Sequence, residues 1–140
     1  VNVLGEHESD AVRSVLSSVE RDVAVTLELG PTATPVTLLA AGGREIDTGA
    51  QTRAVVEDVC SLSDRVVLDV LEHHERGPWP RTTIGPGLEY LGMPLGYELA
   101  TLVHAIVEAG RPEPSLSVAS RARLATLERD VAIDVFVTPT

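Results

Sequence analysis

Three groups of residues in this chain carry side chains able to do chemistry. The run Glu72-His73-His74-Glu75 combines imidazole and carboxylate donors of the kind that ligate zinc. Neighbouring histidines in a loop rarely converge on one ion, and no further Cys or His lies at ligand spacing, so the run reads as a solvated polar loop and no metal site is expected. Cys60, the only cysteine, follows Val59 on the apolar face of a predicted helix. A reactive thiol needs exposure and positive surroundings, so Cys60 is expected in the core. His104 and Glu108 stand four residues apart beside an apolar helical stripe, which reads as a surface pair rather than an acid–base dyad. Gly42-Gly43 lacks the Lys-Ser/Thr of a phosphate loop, and no Ser-His-Asp arrangement stands out. No catalytic residue and no cofactor is assigned.

The elements that position these groups follow from pattern. The chain has 140 residues, 44% hydrophobic and nearly without aromatics, so one domain with a core of Val, Leu, Ile and Ala is expected. A formal net charge of -10 opposes contact with phosphate or anionic lipid, which excludes a nucleic-acid reader. No run approaches the about 18 apolar residues of a membrane span. The N-terminal stretch VNVLGEHESD has neither the basic start nor the apolar core of a secretory signal. A lone cysteine fits a reducing compartment, and the cytoplasm is the expected location.

Helical spacing runs over residues 10–20, with Ala11, Val12, Val15, Leu16 and Val19 on one face. Residues 23–29 alternate as a strand with one buried face. Residues 35–43 read as a short strand or an irregular insertion. A helix is predicted over 48–62, and the apolar run 65–71 reads as a strand covered on both faces. After the polar loop 72–80, RTTIG and LEYLG form a hairpin across Pro86-Gly87. A further helix carries Leu99, Leu102, Val103, Ile106 and Val107, stopped by Gly110 and Pro112. A linker over 111–116 leads to a helix over 117–128 and a strand over 131–137. The order is that of an α/β fold with a mixed sheet.

The chain also contains a repeat. LSSVERDVAVTLELGPT, residues 16–32, aligns with LATLERDVAIDVFVTPT, residues 124–140, with eight identities in seventeen positions at an offset of 108. The apolar positions Val19/Leu127, Val25/Ile133, Leu27/Val135 and Leu29/Val137 are kept. This offset is the size of a small domain, so the C-terminal stretch reads as the opening helix and strand of a second copy. On that reading residues 1–110 form one unit, 111–116 a linker, and 117–140 the start of a truncated second unit. Either the natural chain is longer or an ancestral unit was lost.

Three stretches resemble the thioredoxin-like families built from paired units, namely the two-unit protein disulfide oxidoreductases and the N-terminal domain of the alkyl hydroperoxide reductase flavoprotein subunit. WPRTTI, residues 79–84, resembles the strand start at which such proteins keep a cis-proline, here Pro80. YLGMPLGYELATLVHAI, residues 90–106, resembles their hairpin exit and last helix, with Gly92, Pro94, Gly96, Tyr97 and Glu98 at the motif positions. LERDVAIDVFVTPT, residues 127–140, resembles the start of their second unit, after which a Cys-Pro-Tyr-Cys-like pair follows. The resemblance covers most of residues 10–140 and is weakest over 30–47. It implies a thioredoxin-like three-layer α/β/α fold with an extra C-terminal helix and strand.

The resemblance fails at the redox pair. Two thiols three residues apart at a helix N-terminus are needed for disulfide exchange. The corresponding position is Ala33-Thr34-Pro35-Val36 through the internal repeat, or Ile46-Asp47-Thr48-Gly49 counted back from LSDR, and neither contains cysteine. The resemblance then implies a redox-inactive structural or docking unit, with Trp79, Pro80 and Arg81 at a peptide-docking position and the active pair just beyond Thr140 if the chain continues. Its partner would be a protein or an adjoining thioredoxin unit. The alternative is a freestanding interaction or assembly module. The apolar strand Val131, Ile133, Val135 and Val137 supports that alternative, and strand-mediated homodimers are expected for the 140-residue form.

Overall fold

The computed structural model describes residues 3–31 and 48–136. Residues 35–43, the four positions 33–36, and Ile46 and Asp47 of the second candidate site lie outside the described residues, as do 137–140.

Helix α1, Glu6–Leu16, begins earlier than periodicity alone predicts. The Glu8 carboxylate accepts the Gly5 N–H at 3.0 Å, and Glu6 and Glu8 in the first turn suit the positive end of the helix dipole. It also ends earlier. The hydroxyls of Ser17 and Ser18 donate back to the carbonyls of Ser14 and Val15, and the chain turns so that Val19 drops into the core. Strand β1, Val23–Leu29, alternates as predicted, with Val23, Val25, Leu27 and Leu29 buried. Helix α2, Thr48–Ser61, buries Val55, Val56, Val59 and Cys60. The N-terminus is tied to it, since Asp58 accepts the main-chain N–H groups of Val3 and Leu4.

Strand β2 spans Val66–Glu72, β3 Arg81–Ile84 and β4 Leu88–Leu91. The β3–β4 hairpin turns at Gly85, whose φ of 55° is open to glycine. The strands form one mixed sheet in the order β2-β1-β3-β4, with β1–β2 parallel and β1–β3 and β3–β4 antiparallel. Helix α3, Tyr97–Ala109, buries Leu102, Val103, Ile106 and Val107. It ends at Gly110, where a Cβ would stand 2.6 Å from Val19 Cγ1, so the helix end and the start of β1 pack as closely as they do only with glycine.

One apolar cluster joins α1, α2 and α3 to the Val23, Val25, Leu27 and Leu29 face of the sheet. The α/β architecture with a mixed sheet is as expected. Of the two helical layers expected on the sheet, the described residues supply one. The opposite face carries Ala24, Thr26 and Glu28 with Val67, Asp69 and Leu71, and among the described residues it is largely open. Strand β2 is therefore not covered on both faces by them. Val67 is 61% exposed, because β2 lies at the sheet edge and α2 shields only the Val66, Leu68 and Val70 side.

The C-terminal region departs further. Helix α4 is confined to Val118–Leu124, capped by Ser117 through the Ser120 N–H, and buries nothing. Residues 131–136 form no strand. A strand exists by pairing, and this segment has no neighbouring strand among the described residues.

Candidate functional site

The Trp79–Pro80 peptide bond is cis and leads directly into β3. Pro80 is buried, and its carbonyl accepts the Gly92 N–H at 2.9 Å. That bond joins the proline to the motif turn beyond the hairpin. The turn itself is built for shape. Gly92 and Gly96 have φ of 104° and 62°, and Pro94 is fully buried. Gly96 caps α3, and half-buried Glu98 follows in its first turn. Burial and then the Glu98 charge push the Tyr90 phenol upward. Gly92, Pro94, Gly96 and Glu98 thus shape and hold the hairpin exit.

Trp79 is the centre of the site. Its indole lies against two glycines, since a Cβ on Gly30 would come within 2.7 Å of Trp79 Cδ1 and one on Gly77 within 2.6 Å of Cε2. His73 stacks on it with ring centroids 4.2 Å apart and planes 2° from parallel. The Arg81 guanidinium carbon sits 4.9 Å from the indole centroid, in reach of a cation–π attraction. Trp79 Nε1 donates to the Glu75 carbonyl at 3.0 Å. The Glu28 carboxylate closes the ring of contacts, with one oxygen 3.0 Å from His73 Nε2 and the other 2.9 Å from Arg81 Nε. The Arg81 Nε–H is not aimed at an acceptor among the described residues, so this second contact is an ion pair rather than a directed hydrogen bond. Arg81 also lies 4.0 Å from Glu89 on β4.

The topology explains how these groups meet. Glu28 and Arg81 are cross-strand partners in the β1–β3 register. The loop after β2 is tethered to the end of β1 by His73 N–H to Leu29 C=O at 2.8 Å and Gly77 N–H to Pro31 C=O at 3.0 Å. Among the described residues, the main-chain N–H and C=O of Trp79 make no hydrogen bond. A proline-led strand start with such backbone groups beside an aromatic ring can accept an extended peptide by main-chain pairing.

The other residues singled out in the sequence behave differently. Trp79, Pro80 and Arg81 come together at one place, as their adjacency requires. His73 is not a solvated loop residue but a packed member of this site, while His74 and Glu75 are exposed. Among the described residues no three His, Cys, Asp or Glu side chains converge as metal donors. Glu108 does not pair with His104. It accepts the Ser115 N–H at 2.7 Å and lies 3.3 Å from Arg111 Nε, and the Ser115 bond holds its carboxyl below the ordinary range. Cys60 is buried, and burial pushes its thiol up to about 12. Sequence reasoning missed Glu28 and His73. Only the β1–β3 register, which sets Glu28 opposite Arg81, could have found Glu28.

No family model and no curated protein matches the chain. Solved structures do. The chain is similar to a mutant of AhpF from the alkylhydroperoxide reductase of Enterococcus faecalis, with 14% identity, a TM-score of 0.68, and 89% of this chain covering 61% of that one. It is similar to the N-terminal domain of AhpF from the same organism, with 15% identity and a TM-score of 0.68 over 90% of this chain and 62% of that chain. It is also similar to a protein disulfide oxidoreductase from Aeropyrum pernix, with 19% identity and a TM-score of 0.71 over 91% of this chain and 56% of that chain. The fold is thioredoxin-like. This thioredoxin-like chain spans less than two thirds of each of these three solved chains. Among its described residues no helix is long and apolar enough to cross a membrane.

Proposed function

We propose that this chain is a thioredoxin-like structural and docking unit of a thiol–disulfide oxidoreductase system, without a disulfide-exchanging pair of its own. The observation that carries the reading is a contrast within the chain. The proline-led strand start is built, and its Trp79 backbone makes no hydrogen bond among the described residues, whereas the only thiol in the sequence, Cys60, is sealed in the core. The names of the structural neighbours, an alkylhydroperoxide reductase protein and a disulfide oxidoreductase, support the chemical setting. In this proposal Trp79, Pro80 and Arg81 receive an extended segment of a protein partner or adjoining thioredoxin unit. A Cys-x-x-Cys pair lies just beyond Thr140 if the natural chain continues, and the protein works in the reducing cytoplasm.

Insulin reduction with dithiothreitol tests the reading. The 140-residue chain should leave the uncatalysed rate unchanged, and a gene continuing through a cysteine pair should yield a longer chain that turns over. Catalysis by the 140-residue chain, or a continuation without such a pair, would overturn it. The second reading, a freestanding interaction module, is favoured by one observation. Ile133, Val135 and Phe136 are exposed, an apolar patch that a protein partner would cover. A stop codon after Thr140 decides for it.

A further inference from the structure

Two unpaired features of this chain have complementary chemistry. The first is the outer edge of β2. Among the described residues this strand pairs only with β1, so seven residues of backbone lie open along one side, with Val66, Leu68 and Val70 toward α2 and Val67 and Leu71 exposed on the bare face. A long apolar edge of this kind is a template for strand addition. The second is residues 131–136, whose Val131, Ile133 and Val135 repeat the code of Val23, Val25 and Leu27 in β1. Those β1 positions are at most 2% exposed, while their counterparts are 57%, 82% and 78% exposed.

We propose that residues 129–136 of one copy add as an antiparallel strand to the open edge of β2 in a second copy of this chain. The period-two pattern requires Val131, Ile133 and Val135 to join the Val66, Leu68 and Val70 face, which leaves only registers two residues apart. Charge selects among them. With Val131 opposite Val70, Ile133 opposite Leu68 and Val135 opposite Val66, Asp69 faces Ala132, Glu72 faces Arg129, and Arg65 faces Phe136. A shift by two residues in either direction sets Asp69 against Asp130 or Asp134, a like-charge pair that is disfavoured across strands. Of the two parallel arrangements free of that clash, one places Val135 against Glu72 and the other Val131 against Asp64, and within residues 129–136 neither forms an ion pair. Arg129 makes no ion pair among the described residues, whereas Glu72 holds Arg53 at 3.0 Å and presents its carboxylate at the edge. Arg65, paired at 3.3 Å with Asp22, lies at the other end for Phe136, the most exposed of the large apolar residues described. This inference stands on the open edge and the unpaired segment, and it does not depend on the redox reading.

Analytical ultracentrifugation of the 140-residue chain over a wide concentration range should show a reversible dimer. Ile133→Pro removes a backbone donor from a segment that packs on nothing described. It should abolish the dimer while leaving the thermal midpoint of dilute protein unchanged. Arg129→Glu should weaken the dimer, and adding Glu72→Arg in the same chain should restore it. A mixture of Val131→Cys with Val70→Cys should cross-link on mild oxidation, and a mixture of Val131→Cys with Leu68→Cys should not. A monomeric wild-type chain, a dimer that survives Ile133→Pro, or cross-linking in the shifted register would each overturn the proposal.

Discussion

Residues 16–29 and 124–136 share a sequence code and differ in everything that code does. Leu16 is 1% exposed and Leu124 52%; Leu27 is 0% exposed and Val135 78%. The first stretch lies between a parallel and an antiparallel neighbour and beneath three helices, and it is the centre of the molecule. The second has the same alternation, no neighbouring strand among the described residues and no strand structure. Strand propensity measures how well side chains fit a pleated, half-buried surface, so without that surface the pattern is silent. One position reverses in chemistry. Glu28, which holds His73 and Arg81 around Trp79, aligns with Phe136, so the second stretch lacks the carboxylate on which that polar cluster is built.

The sharpest way to break this comparison is to make the same change at both ends. Leu16→Ala opens a cavity in the core and should cost about 2–5 kcal/mol in denaturant unfolding. Leu124→Ala, at the equivalent repeat position, should stay within about 0.5 kcal/mol. Similar losses at the two sites would show that the second stretch is packed after all.

The next effect concerns the end of the first strand, where Gly30 aligns with Thr138 in the sequence repeat. A methyl group at Gly30 would meet Trp79 Cδ1 at 2.7 Å and the His73 carbonyl at 2.9 Å. Gly30→Ala should therefore cost about 1–3 kcal/mol, and it should shift the emission of Trp79, the only tryptophan. An unchanged emission spectrum would mean that the indole is not seated on Gly30.

The core that shelters the first stretch also shelters Cys60, which gives a pH signature. Its thiol is raised from 9.0 to about 12 in the folded state. Between these values the unfolded chain has released the proton that the native state keeps. Stability is therefore fully present below about pH 9 and falls above it, by up to about 1.4 kcal/mol per pH unit, until the folded-state value is reached. Cys60→Ala should flatten that alkaline slope, and native protein at about pH 8 should resist thiol reagents until it unfolds.

The smallest effect sits directly across from Leu27. Thr82 is wholly buried opposite it in the sheet, and its hydroxyl has no partner among the described residues. Thr82→Val keeps the shape and removes an unsatisfied polar group, so it should raise stability by about 1 kcal/mol. A loss would indicate that the hydroxyl is bonded in solution.

Much of this was legible from the chain. Strand β1, helices α2 and α3 and the hairpin are dictated by periodicity and by Gly85, Gly96 and Gly110, and those elements fall where the pattern places them. The cluster around Trp79 was not legible, because Glu28, His73 and Arg81 come from three segments that only the sheet register and the loop tethers bring together. The bare face of β2 was hidden for a related reason. An apolar run declares its wish to be buried but not whether a layer arrives to cover it. The final segment shows the same limit in its plainest form, since Val131 to Phe136 carry the alternation of a strand with no neighbouring strand among the described residues.

Hydrogen exchange measured together on residues 23–29 and 131–136, in protein dilute enough to be monomeric by mass, tests the central claim most directly. The amides of 23–29 should be strongly protected, and those of 131–136 should exchange near the rate of an unstructured chain. Equal protection of the two segments in the monomer would contradict the account.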